Sequence, residues 1–83
     1  MKLQHKNTQK HIFISKAKFE RDGYRMGKTL RHGHPGLNER QARIIAAALT
    51  ANYIKGVDPR FHCNGGHKLG FFLGVLLGYG YYV

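Results

Sequence analysis

Between Gly66 and Gly78 a glycine stands at every fourth position: Gly66, Gly70, Gly74 and Gly78, with Leu69, Phe71, Phe72, Leu73, Val75, Leu76 and Leu77 between them. Residues four apart share one face of a helix, so this spacing makes a bare backbone groove edged by bulky apolar side chains. Each interior glycine costs about 1 kcal/mol relative to alanine, and something must need its smallness. Close approach of a second backbone is the usual need, as in small-xxx-small helix pairs. The spacing therefore predicts a helix over 67–78 that packs tightly on a partner through Gly70, Gly74 and Gly78. The competing reading is a pair of Gly-rich apolar strands ending at Tyr81 and Tyr82, because short apolar runs do not separate helix from strand by periodicity alone.

A partner for the ladder lies upstream. Asn38 is a good N-cap, Glu39 suits a first turn, an Ala-rich apolar run extends from Ala42 to Ile54, and Gly56 ends it. The pattern predicts a helix over 39–55. Ala42, Ala46, Ala47 and Ala51 are small residues near four-residue spacing, and the segment from Gly56 to Gly65 is long enough to reverse the chain. The expected core is an antiparallel helical hairpin, about 39–55 and 67–78, with Ala47 and Ala51 facing the glycines.

The first third of the chain reads in two ways. His11 to Ser15 is rich in β-branched and aromatic residues, and Asp22-Gly23 is a favoured dipeptide of two-residue hairpin turns. A hairpin there places Glu20 opposite Arg25 and Phe19 opposite Met26. The alternative is a helix from Lys16 to Arg31, capped by Ser15, with Phe19, Met26 and Leu30 on one stripe. It must accommodate two interior glycines, Gly23 and Gly27, which makes the hairpin the preferred expectation. The overall expectation is an α+β fold: residues 1–10 as a basic arm, and 11–83 as one small domain with an N-terminal β-hairpin followed by the helical hairpin. The run from Arg31 to Gly36 marks the boundary between the two parts.

The charge is unusual. The 83 residues carry 14 Lys and Arg against 4 Asp and Glu, a formal charge of +10, yet 42% of residues are hydrophobic, too many for a disordered basic tail. Residues 1–36 hold nine of the basic side chains against only Glu20 and Asp22, while nothing after Lys68 carries a side-chain charge. Lys16, Lys18, Arg21, Arg25, Lys28 and Arg31, interleaved with Phe13, Phe19 and Tyr24, suit phosphate contacts beside a few stacking rings. The leading expectation is a non-enzymatic module binding nucleic acid, or an acidic protein surface that handles or mimics it. In style it is similar to the small accessory proteins of phages and mobile elements. The single cysteine, Cys63, excludes an internal disulfide framework and fits a reducing compartment or indifference to redox; the expected location is cytoplasmic.

Two other functional classes compete. The apolar run from Leu69 to Val83 is about 22 Å long as a helix, against a hydrocarbon core of about 30 Å. It is short for a span, but a membrane-active protein whose glycine segment inserts and self-associates fits the same composition. The six histidines suggest acid–base cleavage of RNA, with His34 and His67 exchanging protons and Arg60 steadying the phosphorane. His32, His34, His62, Cys63 and His67 also supply soft or borderline ligand types, although their spacing matches no paired zinc-ligand pattern and no cofactor is expected. Gly27-Lys28-Thr29 resembles the end of a P-loop, but the upstream glycine that motif requires falls on Asp22.

Overall fold

The computed structural model describes residues 12–81, which form three α-helices: α1 (Lys16–Gly33), α2 (Glu39–Lys55) and α3 (Gly65–Tyr79). Among the described residues there is no strand, so the expected α+β fold with an N-terminal β-hairpin is replaced by an all-helical one. The proposed arm, residues 1–10, lies outside the described residues.

Each helix begins with a side chain that satisfies an otherwise unpaired backbone N–H. The Lys18 N–H donates to Ser15 Oγ at 3.1 Å. At α2, Gln41 N donates to Asn38 Oδ1 at 2.8 Å while Asn38 N donates to Gln41 Oε1 at 3.0 Å, a reciprocal capping box. Asn64 Oδ1 accepts from His67 N at 3.0 Å and starts α3. The last helix stops at Gly80, whose φ of 114° is open to glycine and strained for other residues.

The hairpin expectation fails for a tertiary reason. Gly23 and Gly27 are four apart, like the ladder, and both are buried in α1. A methyl group added at Gly23 would overlap the Phe71 carbonyl oxygen, and one at Gly27 would overlap that of Val75. From the other side, a methyl at Gly74 would lie 2.6 Å from the Glu20 carbonyl oxygen, and one at Gly78 only 3.0 Å from the Tyr24 carbonyl carbon. The two glycine sets let the backbones of α1 and α3 touch. The residues that argued against a helix at the sequence level are the ones that let this helix dock.

The contacts also fix direction. As α1 advances from Gly23 to Gly27, the opposing residue on α3 advances from Phe71 to Val75, so α1 and α3 run parallel. The middle helix, α2, returns antiparallel to both, its late residue Tyr53 meeting Phe19 and Phe71 and the preceding Leu37 meeting Tyr79. The expected pairing of the ladder with α2 is therefore corrected: the backbone against Gly74 and Gly78 belongs to α1. Ala42 and Ala46 are the buried small residues of α2, whereas Ala47 and Ala51 are exposed.

One end of the bundle is closed by rings. Phe19 is fully buried, meeting Tyr53 edge-on at 5.3 Å, Phe61 at 5.7 Å and His67 at 5.1 Å, while Tyr53 stacks on Phe71 at 4.2 Å. At the other end the Tyr79 hydroxyl donates to the His34 carbonyl and accepts from Leu37 N at 2.8 Å. Tyr81 stacks on Tyr79 at 5.6 Å, and its hydroxyl donates to the Leu37 carbonyl. These bonds tie the loop between α1 and α2 to the end of α3.

Candidate nucleic-acid interface

Docking through Phe19, Gly23 and Gly27 determines which side of α1 meets solvent. At 3.6 residues per turn, the positions opposite that face are 18, 21, 25, 28 and 32, which step by three and four along one line. They are Lys18, Arg21, Arg25, Lys28 and His32, all exposed. The stripe is about 21 Å long at 1.5 Å per residue. A helix whose buried line is built from two glycines and a phenylalanine carries its charge on the other side, where no described element covers it.

The cations in this stripe are not equivalent. Lys18 Nζ pairs with Asp22 Oδ2 at 3.0 Å, and the same carboxylate accepts from the Tyr53 hydroxyl. Burial alone would raise the Asp22 carboxyl. The Tyr53 hydroxyl and the Lys18 ammonium outweigh it and hold the group below the usual carboxylate value. The Tyr53 phenol is pushed well above its ordinary value, first by burial and then by the neighbouring carboxylate. Lys28 Nζ lies 5.3 Å from the centre of the Tyr24 ring, a cation–π contact. Arg21 and Arg25 make no direct salt bridge among the described residues, although the Arg25 charge also helps to hold the Asp22 carboxyl down.

The other two basic candidates turn away. The Lys16 stem lies beside Gly70, within 3.6 Å of where a methyl group there would sit. Arg31 Nη1 donates to the Tyr79 carbonyl at 3.3 Å, at the C-terminal and partially negative end of α3. Of the aromatic residues proposed to stack on bases, Phe19 is interior and Tyr24 lies under Lys28, while Phe13 is exposed ahead of α1. His32 is the member of the stripe that counting lysines and arginines misses. Its place at the next step of the same line, four residues after Lys28, was available once α1 was read as a helix.

Among the described residues, the histidines proposed for catalysis lie apart. His67 is held at the aromatic end, its Nδ1 2.7 Å from Asn64 Oδ1 and its ring 5.0 Å from that of Phe61. His34 caps the opposite end of α1. About 22 Å of helix separates Phe19, which touches His67, from His34, so the two imidazoles cannot flank one phosphate. Arg60 is engaged by Asp58 at 2.7 Å, and its guanidinium and backbone N–H hold that carboxyl down to about 2. Cys63 is half-buried and His62 exposed. Among the described residues no group of three or more His, Cys, Asp or Glu is placed to hold a metal ion, and no helix is long and apolar enough to cross a membrane.

Comparison of the chain with family models, with curated proteins and with solved structures finds no match in any of the three.

Proposed function

We propose that this protein is a small, non-enzymatic nucleic-acid-binding module that engages the phosphates of a duplex through the outer face of α1, in the cytoplasm. The observation that carries the reading is the alignment of Lys18, Arg21, Arg25, Lys28 and His32 on one uncovered line opposite the buried glycines. A helix that sets Lys18, Arg21, Arg25 and Lys28 along one line suits phosphate contact, which positions a protein on a duplex without reading its bases. The interior position of Phe19 and the cation over Tyr24 leave few free rings for stacking, which favours a duplex over a single strand. The net charge of +10 supplies long-range attraction to either polymer.

Fluorescence anisotropy with a labelled duplex and a labelled single strand, repeated across a salt series, tests this reading. Each phosphate contact contributes about 0.9 to the slope of log affinity against log salt. Replacing Arg21 and Arg25 together by glutamine should therefore reduce the slope by about 2, and the duplex should bind at least as tightly as the single strand. The control pair Lys55→Gln and Lys68→Gln, off the stripe, should change the slope less. Absence of binding, or binding flat in salt, would overturn the reading in favour of an acidic protein partner.

A further inference from the structure

Beside the stripe, α3 leaves a second surface uncovered. Leu69, Leu73 and Leu77 follow one another at four-residue spacing and remain 53%, 40% and 43% exposed. With Gly70 and Gly74 as floor and Lys16 and Glu20 of α1 as the opposite lip, they line a groove of about 550 Å³. Gly74 is accounted for by the α1 backbone, but Gly70 is not: the nearest atoms to a methyl there would be the flexible stems of Glu20 and Lys16. A leucine ridge beside a shallow groove is the shape into which a similar ridge packs.

The charges of the lip identify the occupant. Asp22, Glu39 and Asp58 are each ion-paired, with Lys18, Arg43 and Arg60 respectively. Glu20 has no hydrogen bond or ion pair among the described residues, and neither has Lys16. The two are four residues apart but do not pair with each other, and lysine preceding glutamate is the weaker order for such a pair within a helix. The groove thus presents one free cation and one free anion, and is locally neutral on a chain of charge +10. A polyanion has no reason to prefer it over the α1 stripe. A two-fold axis perpendicular to the helices makes this surface its own complement, since it sets a cation opposite an anion twice while leucine ridges meet across it.

We propose that this groove is the interface of a homodimer, in which Leu69 and Leu73 of two copies interdigitate and Lys16 of one protomer pairs with Glu20 of its partner, reciprocally. The inference is independent of nucleic-acid binding and concerns a different face of the molecule. The interface is small, so the dimer forms in the micromolar range rather than permanently.

Sedimentation equilibrium of the full chain without nucleic acid, from low micromolar to submillimolar protein, reads the association directly. The expected result is a reversible shift from 9.5 kDa towards twice that mass. Leu73→Lys should weaken dimerisation at least tenfold, with helical content by circular dichroism unchanged. Lys16→Glu and Glu20→Lys should each weaken it, and an equimolar mixture of the two single variants should restore it as a heterodimer, because each protomer then carries like charges that only the other can neutralise. That rescue keeps the test decisive even if Leu73→Lys fails to fold. A monomer at every concentration overturns the proposal, as does a dimer indifferent to these changes. So does a monomer that binds neutral phosphatidylcholine vesicles through Leu73, which would make the ridge a lipid contact.

Discussion

Gly74→Ala tests whether α1 and α3 touch backbone to backbone. The added methyl would stand 2.6 Å from the Glu20 carbonyl oxygen and 3.1 Å from Tyr24 N, where ordinary contact begins at 3.4 Å. Both obstacles are backbone, so no rotamer change relieves the overlap. The helices must move apart by about 0.8 Å, and a gap of about 0.5–1 Å forfeits a quarter to a half of each dispersion well along the seam. Overpacking of this kind costs about 1–3 kcal/mol, and the absence of any flexible group places this site at the upper end. Alanine's better helix propensity returns about 1 kcal/mol. The net expectation is a loss of about 2 kcal/mol, which lowers the melting temperature of a domain this size by about 8–16 °C. Thermal unfolding followed by far-ultraviolet circular dichroism at low protein concentration measures it. Gly70→Ala, one turn away and with flexible side-chain stems as its nearest neighbours, should change the melting temperature little. Gly33→Ala, with nothing within 4 Å, should leave it unchanged or raise it. A Gly74→Ala variant that melts at or above the wild type would refute the packing argument, because only the propensity gain would then have been felt.

Other perturbations act at separate points. Tyr79→Phe removes a hydroxyl that both donates to the His34 carbonyl and accepts from Leu37 N, and chemical denaturation should show a loss of about 1–3 kcal/mol. Asp22 has a depressed pKa in the folded state, so the stability it contributes is present above its unfolded value of about 4 and is lost as pH falls through the lower folded value. An acid titration of stability should therefore fall less steeply in that window for Asp22→Asn than for wild type. The slope that remains includes the share of Asp58, whose pKa is also depressed.

What the sequence disclosed about the fold follows the range of the interactions involved. The second helix was legible because its signals are local: the Asn38 cap, the Glu39 first turn and the Gly56 stop bracket Glu39–Lys55. The third was legible from glycine spacing, although its cap at Asn64 starts it two residues before the predicted position. The first was misread because Asp22-Gly23 is a strong turn signal in isolation. In the folded chain the Asp22 carboxylate is taken by Lys18 and Tyr53, and the bareness of Gly23 is taken by the Phe71 carbonyl; both tertiary partners, Tyr53 and Phe71, lie more than thirty residues away. A four-residue glycine spacing shared by positions 23 and 27 and by the ladder was the available clue. The stripe was legible as composition, but the separation of Lys16 and Arg31 from Lys18, Arg21, Arg25 and Lys28 needed the helical phase of α1. That phase is set by its docking on α3.

The most direct test of the account is to map binding on the protein itself, by following backbone amide resonances of labelled protein as a short DNA duplex is added. The account predicts shifts concentrated at Lys18, Arg21, Arg25, Lys28 and His32, with α2 and the Leu69, Leu73 and Leu77 ridge largely unmoved. Shifts centred on that ridge, or none on the outer face of α1, would contradict it.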